Sequence, residues 1–246
     1  MSVTTGHTTG RPISRRERLR AEATQEITAI ALGQMAADGP GAISLRGIAR
    51  EMGMTPRAIY SYFATRDELI TALIRDISAS LADALETARD AAPAADPGRR
   101  LLAWGQALRE WALANPEGFQ LVYGTPVPGY QPPEDGPAEQ AARRICGGLN
   151  QLVAAAYTPA GPPSSDASEW HDFPPEYLAK VRADVLDLSP AVAALALRVW
   201  GRMHGLVTLE IHGHLRAVSH DPAALYRADM LDLVRSLGVS PSSPSV

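Results

Sequence analysis

Apolar residues recur at helical spacing along nearly the whole chain, and the breaks between runs carry helix-start and helix-stop residues. Over residues 15–37, Ile27, Ile30, Ala31 and Met35 share one face, and Gly39 is the stop. Leu45, Ile48, Ala49 and Met52 then repeat at i, i+3, i+4 and i+7, and Gly53 closes this short helix. Thr55 stands at an N-cap position with Pro56 at the first helical position. The next helix turns Ile59 and Phe63 inward and carries Arg57, Tyr60, Ser61 and Tyr62 on its other side. From Thr65, with Glu68 completing a capping box, Leu69, Leu73, Ile77, Leu81 and Leu85 carry a long helix to about Ala91.

Five capping residues each stand before a proline: Thr55-Pro56, Asp96-Pro97, Asn115-Pro116, Ser189-Pro190 and Asp221-Pro222. Proline at the first helical position sacrifices no hydrogen bond, so each pair marks a helix start. Further helices are therefore predicted over Pro97–Ala114, Pro116–Tyr123, 137–157, 190–215 and 222–237. No stretch alternates as a strand does, so the chain is read as all-α. Two Pro/Gly-rich segments, 124–136 and 158–174, are expected to be surface loops. The tails, 1–14 and 240–246, are expected to be disordered.

Residues 44–63 form two short helices joined by a tight turn, the arrangement that lays one helix in a DNA major groove. Together with the run Tyr60-Ser61-Tyr62-Phe63-Ala64-Thr65-Arg66-Asp67-Glu68-Leu69, residues 29–73 resemble the TetR family of tetracycline-repressor-like transcription factors. Arg66 stands where that family usually has lysine, and a glycine often found near Arg57-Ala58 is missing. The resemblance implies a three-helix DNA-binding head over 15–66 and a larger helical ligand-binding and dimerisation body over 67–239. On the recognition surface, Thr55, Tyr60 and Tyr62 are expected to hold phosphates, with Pro56 and Ser61 beside them. Arg57 is expected to read a base edge, and Ser44, Arg46 and Arg66 to anchor the flanking backbone.

The overall charge of −4 at first argues against a nucleic-acid partner. Residues 1–66, however, hold nine arginines and five acids, a balance of +4. The remainder holds 23 − 9 = 14 cations against 27 − 5 = 22 acids, a balance of −8. A basic DNA-facing end on an acidic partner domain fits this division, and the stretch from Arg11 to Arg20 adds phosphate-neutralising charge. Apolar residues make up 46% of the chain, yet no run nears the ~20 residues that cross a bilayer, so a cytoplasmic protein is expected. The one cysteine, Cys146, excludes an intramolecular disulfide, and Ile145, Leu149 and Leu152 around it point to a buried structural thiol.

In the predicted helix 190–215, Val192, Leu195, Ala196, Val199, Met203, Leu206 and Val207 form one apolar stripe. Ala193, Leu197, Trp200, His204 and Ile211 form another. A helix apolar on two faces must bury both, one of them against a second subunit. The family resemblance implies a homodimer with a four-helix bundle between protomers, and Val199, Leu206, Val207, Leu233 and Leu237 are the expected interface. The run from Trp200 to Gly205 is similar to the tryptophan–histidine–glycine signature of one subgroup of such C-terminal domains. Trp104, Trp111, Phe119, Tyr123 and Met203, with His204 as a polar anchor, are either the walls of an effector pocket or packed core.

No metal site, cofactor or catalytic residue is expected. His204 and His212 are eight residues apart, and His212 and His214 would point about 160° apart on a helix. Glu210 and His214 have the right spacing but no third ligand. The function expected is a repressor on a palindromic double-stranded operator, released by a small apolar or aromatic effector. One alternative is a DNA-binding regulator controlled by a protein partner. A small metal-dependent hydrolase is the other, and neither G-x-S-x-G nor H-E-x-x-H supports it.

Overall fold

The computed structural model describes residues 14–133, 136–157, 168–184 and 188–239, and their regular structure is entirely helical. Both expected disordered tails lie outside these residues, apart from Ser14. The chain divides into two compact units, residues 1–70 with 126–130, and residues 71–125 with 131–246.

The first unit holds α1 (Arg15–Asp38), a 3₁₀ turn (Pro40–Ala42), α2 (Leu45–Glu51), α3 (Pro56–Ile59) and the first turn of α4 (Arg66–Ala91). Ser14 and Glu17 form a reciprocal capping box that starts α1. Ile27, Ala31 and Met35 of α1 are buried with Ile43, Leu45, Ile48, Ala49, Ile59 and Phe63. Gly53, at φ 65, supplies the left-handed residue that turns the chain from α2 into α3. The capping box expected at Thr65 is shifted. Thr65 Oγ1 accepts the Glu68 N–H at 3.1 Å, but the Glu68 carboxylate accepts from Ala64 N–H at 2.8 Å.

The second unit continues α4 and adds α5 (Pro97–Ala114), α6 (Pro116–Tyr123), α7 (Glu139–Ala156), α8 (Pro175–Asp184), α9 (Pro190–Ile211) and α10 (Pro222–Ser236). The central helix is α5, which packs against α7, α9 and α10. Trp104 fills its middle and is 2% exposed. A Cβ on Gly148 of α7 would lie 2.7 Å from the Trp104 ring, so α7 and α5 meet there only because residue 148 has no side chain. Tyr226 of α10 is buried and donates to the Gly105 carbonyl at 2.9 Å. Arg109 and Glu210 form a two-bond, mostly buried ion pair between α5 and the end of α9. A smaller cluster gathers Trp170, Phe173 and Tyr177 on Val181, Leu188 and Ala193.

Four of the five proline-led starts carry the expected cap: Thr55, Asp96, Ser189 and Asp221 each accept a backbone N–H from the first turn. Asn115 does not. Its side-chain amide donates instead to the Trp111 carbonyl, closing α5 rather than opening α6. Helix α8 and the 3₁₀ turn Trp170–Asp172 fall where the sequence gave no element. The helix expected over 190–215 stops at Ile211, and Gly213, at φ 77, turns the chain. The His212 and His214 rings therefore stack with centroids 6.3 Å apart instead of diverging. Cys146 is exposed, contrary to the buried thiol expected. One residue is a 100° step on a helix, which carries it off the face that buries Ile145, Leu149 and Leu152. Among the described residues no helix is long and apolar enough to cross a membrane.

Candidate functional site

In the first unit, the backbone of the helix–turn–helix is satisfied by its own short side chains. Ser44 Oγ accepts from Gly47 N–H at 3.3 Å, and Thr55 Oγ1 accepts from Ala58 N–H at 3.2 Å. Both hydroxyls keep their hydrogen for an outside acceptor such as a phosphate oxygen. Pro56 occupies the first position of α3, and Ser61 Oγ donates to the Ala58 carbonyl at its far end. Arg46, Arg57 and Tyr60 are exposed and make no hydrogen bond or ion pair among the described residues. Three large polar side chains are thus left unpaired around two short helices.

Tyr62 is held more firmly. The Arg20 guanidinium lies 4.9 Å from the centre of its ring and donates to the Ser61 carbonyl at 2.9 Å. Arg20 thereby fixes the end of the recognition segment from α1. Sequence reasoning had counted it only as part of a basic stretch, and nothing local in the sequence marks the pairing. Arg15, Arg16, Leu19, Arg20 and Tyr62 line one groove, extending the cationic surface along α1.

Arg66 departs from the phosphate-anchoring role expected of it. Its Nε donates to the Ile43 carbonyl at 2.8 Å, Nη1 to Pro128 at 3.3 Å, and Nη2 to Pro40 and Gly41 at 3.3 and 3.4 Å. The guanidinium is occupied in joining the 3₁₀ turn, the start of α2 and the segment 126–130.

In the second unit the six expected ligand residues separate into two groups. Trp104, Trp111, Phe119 and Met203 are buried in the main core, and Trp111 Nε1–H is satisfied by Ser80 Oγ at 3.1 Å. Tyr123 and His204 are half-buried and form an aromatic box with Phe119 and Trp200. The His204 ring lies 4.6 Å from Trp200, 4.8 Å from Tyr123 and 5.8 Å from Phe119, centre to centre. Burial pushes the His204 imidazolium below its ordinary range, while the bond to Trp200 opposes this more weakly. Burial likewise pushes the Tyr123 phenol up, so both side chains are held neutral.

His204 Nδ1 lies 3.0 Å from the Trp200 carbonyl, which can only accept. The neutral ring must therefore carry its proton on Nδ1, leaving Nε2 as a bare acceptor. That Nε2 is buried and has no partner; the other such atom among the described residues is Ser78 Oγ. An unsatisfied buried acceptor costs about 1–3 kcal/mol.

The expected partner-facing residues are mostly unavailable. Val199 and Val207 are 0% exposed, Leu233 and Leu237 are also buried within the protomer, and Leu206 is half-buried. The stripe open to solvent is the other one, with Leu197 at 45%, Trp200 at 40% and Leu209 at 41%. Gly201 and Gly205 lie on it, and a Cβ at either would meet nothing within 4 Å. With Trp200, His204 and Leu209 they line a groove of about 750 Å³. The arrangement is an apolar helical ridge with two notches. No group of three or more His, Cys, Asp or Glu side chains among the described residues is placed to hold a metal.

Comparison with known proteins agrees with this division. Residues 27–73 match the family described as bacterial regulatory proteins, tetR family, and residues 101–233 match the tetracyclin repressor-like C-terminal domain. The HTH-type transcriptional regulator Rv1816 of Mycobacterium tuberculosis is 31% identical over 231 residues, covering 92% of this chain and 96% of that protein. Among solved structures, the regulatory protein SCO4313 is 36% identical, with a TM-score of 0.70 over 89% of this chain and 98% of that one. A tetR-family regulatory protein from Rhodococcus RHA1, 18% identical, shares the fold, with a TM-score of 0.61 over 90% and 99% of the two chains. The chain belongs to the TetR family of bacterial transcriptional regulators, and not to a family of enzymes.

Proposed function

We propose that the protein is a cytoplasmic repressor that binds a palindromic operator as a homodimer and leaves it when a small aromatic effector enters the second unit. The observation that carries the DNA-contact part is the set of unpaired exposed groups, Arg46, Arg57 and Tyr60, on a helix–turn–helix whose own backbone is already capped. Arg57 stands in the first turn of the recognition segment, where it reads a base edge. Arg46, Tyr60 and the hydroxyls of Ser44 and Thr55 bond phosphates. Arg66 serves them indirectly, by holding the loop carbonyls around α2.

The dimer forms through the exposed stripe of α9, with Leu197, Trp200 and Leu209 as ridge and Gly201 and Gly205 as notches. Two such ridges related by a two-fold axis bury apolar surface that a lone protomer leaves in water. Recognition segments in such a dimer meet successive major grooves about 34–36 Å apart. The effector site is the box around Tyr123 and His204, where an acceptor waits without a partner. Control by a protein partner is the second reading, favoured by how completely Trp104, Trp111, Phe119 and Met203 are already packed.

Fluorescence anisotropy on fragments of the promoter regions nearest the gene tests the reading. Saturable binding of a dimer to one palindromic site, with affinity falling steeply as salt rises, is the expected result. Equal affinity for every duplex of the same length, or binding by a monomer, would overturn it.

A further inference from the structure

We infer that the box formed by His204, Tyr123, Phe119 and Trp200 takes a neutral planar ligand that carries a hydrogen-bond donor, a phenol or an indole-like N–H, and rejects carboxylates of the same shape. The inference rests on the small-effector reading above and adds the chemical class. Its first support is the tautomer. The Trp200 carbonyl, 3.0 Å from His204 Nδ1, fixes the proton there, so the free nitrogen can only accept. The second is the orphan: Nε2 is buried without any partner, and the rings around it supply none.

Shape and charge narrow the class further. The Phe119 and His204 rings lie within 24° of parallel at 5.8 Å, while Tyr123 meets His204 edge-on at 72°. Flat faces and ring edges suit a planar guest by stacking and edge contact. Burial disfavours the charged imidazole, so the box cannot answer an anion by protonating without losing its solvation advantage. A carboxylate would instead meet the bare lone pair of Nε2. Trp200 connects this site to the exposed ridge of α9, since the same ring faces His204 and is 40% exposed. A guest in the box therefore touches the side chain that also forms the partner-facing surface, and its arrival should change tryptophan fluorescence.

Full-length protein is titrated with indole, N-methylindole, phenol, anisole and benzoate, following fluorescence and calorimetry, with operator binding measured on the same samples. Indole and phenol should bind roughly tenfold tighter than their methylated forms, the worth of one net hydrogen bond, and benzoate should be weakest. His204→Phe keeps a ring in place and should erase the donor preference. In case that variant folds poorly, the ¹⁵N shift of His204 Nε2 in the wild-type protein should move on adding indole and stay on adding N-methylindole. Indole and N-methylindole binding alike, or benzoate binding best, overturns the donor class while leaving an effector site standing. No binding of any probe by protein that still holds its operator overturns the ligand box itself. Loss of operator binding in untreated protein overturns the regulator reading instead.

Discussion

The recognition segment and the centre of the second unit use large side chains in opposite ways. In α2 and α3, small residues such as Ser44 and Thr55 satisfy the backbone, and Arg46, Arg57 and Tyr60 are left in solvent without partners. In α5 and α6, Trp104, Trp111 and Phe119 are consumed by packing, and even the Trp111 N–H is paired. A surface that reads DNA needs hydrogen-bonding capacity that folding has not used. A core needs the reverse. The box at His204 lies between these cases: three rings pack around it, yet one acceptor remains unused.

The comparison predicts that stability and function respond to different residues, and the largest effect should come from the core. Trp104→Ala should lose about 3–5 kcal/mol in urea unfolding, because the space beside Gly148 cannot close over an alanine. Arg57→Ala should leave stability within about 0.5 kcal/mol and relax preference at one base per half-site by about 1–3 kcal/mol. Equal losses on operator and random duplexes for Arg57→Ala would break the contrast, since Arg57 would then be a phosphate contact.

Arg66 tests the same division from inside the first unit. Four carbonyls lose their donor in Arg66→Ala, and a destabilisation of about 2 kcal/mol is expected from the loss of charged hydrogen bonds at a half-buried site. The salt dependence of operator binding should stay as it was. Unchanged stability with the salt slope lowered by about one would return Arg66 to the phosphate-anchoring role that its sequence position implied.

What could be read from sequence depended on how far away the partner lay. Thr55, Asp96, Ser189 and Asp221 cap amides three residues on, so their helices were legible from composition alone. Helix α8 begins at Pro175 after another proline, with no capping side chain to announce it. Arg66 bonds carbonyls 23 to 62 residues away, which no local pattern encodes. On α9 the two apolar stripes were both visible, but periodicity does not say which faces the protomer's own core. Val199 and Val207 went inward, and Leu197, Trp200 and Leu209 stayed outside. The aromatic residues of α5 and α6 were found, although helical spacing could not separate a filled core from a box with an open acceptor.

Gly201 and Gly205 turn that choice of stripe into a smaller prediction. Within the protomer a methyl at either position meets nothing within 4 Å, so alanine should raise helix stability by up to about 1 kcal/mol. If a partner helix seats on those notches, the same methyl groups hold it away. Gly201→Ala should therefore unfold at higher temperature when dilute and dissociate more readily in sedimentation equilibrium. A variant that gains stability and keeps its dimer would move the interface off this stripe.

The smallest effect expected is the pH dependence contributed by His204. Burial lowers its folded-state pKa from an ordinary value near 6.5, so the folded protein resists a proton that the unfolded chain accepts. The neutral ring's contribution to stability is thus fully present above pH 6.5, where neither state is protonated. It is lost as pH falls below 6.5 towards the lowered folded value, because only the unfolded state gains a proton over that interval. His204→Phe has no such group and should lose less stability across the same range. Urea midpoints for both proteins between pH 7.5 and 5.5 measure this, and the difference between the two curves isolates His204 from every other titrating side chain. Parallel curves would mean that the ring is solvated in solution and its Nε2 already has water for a partner. The unused acceptor, and the contrast with the filled core beside it, would then disappear.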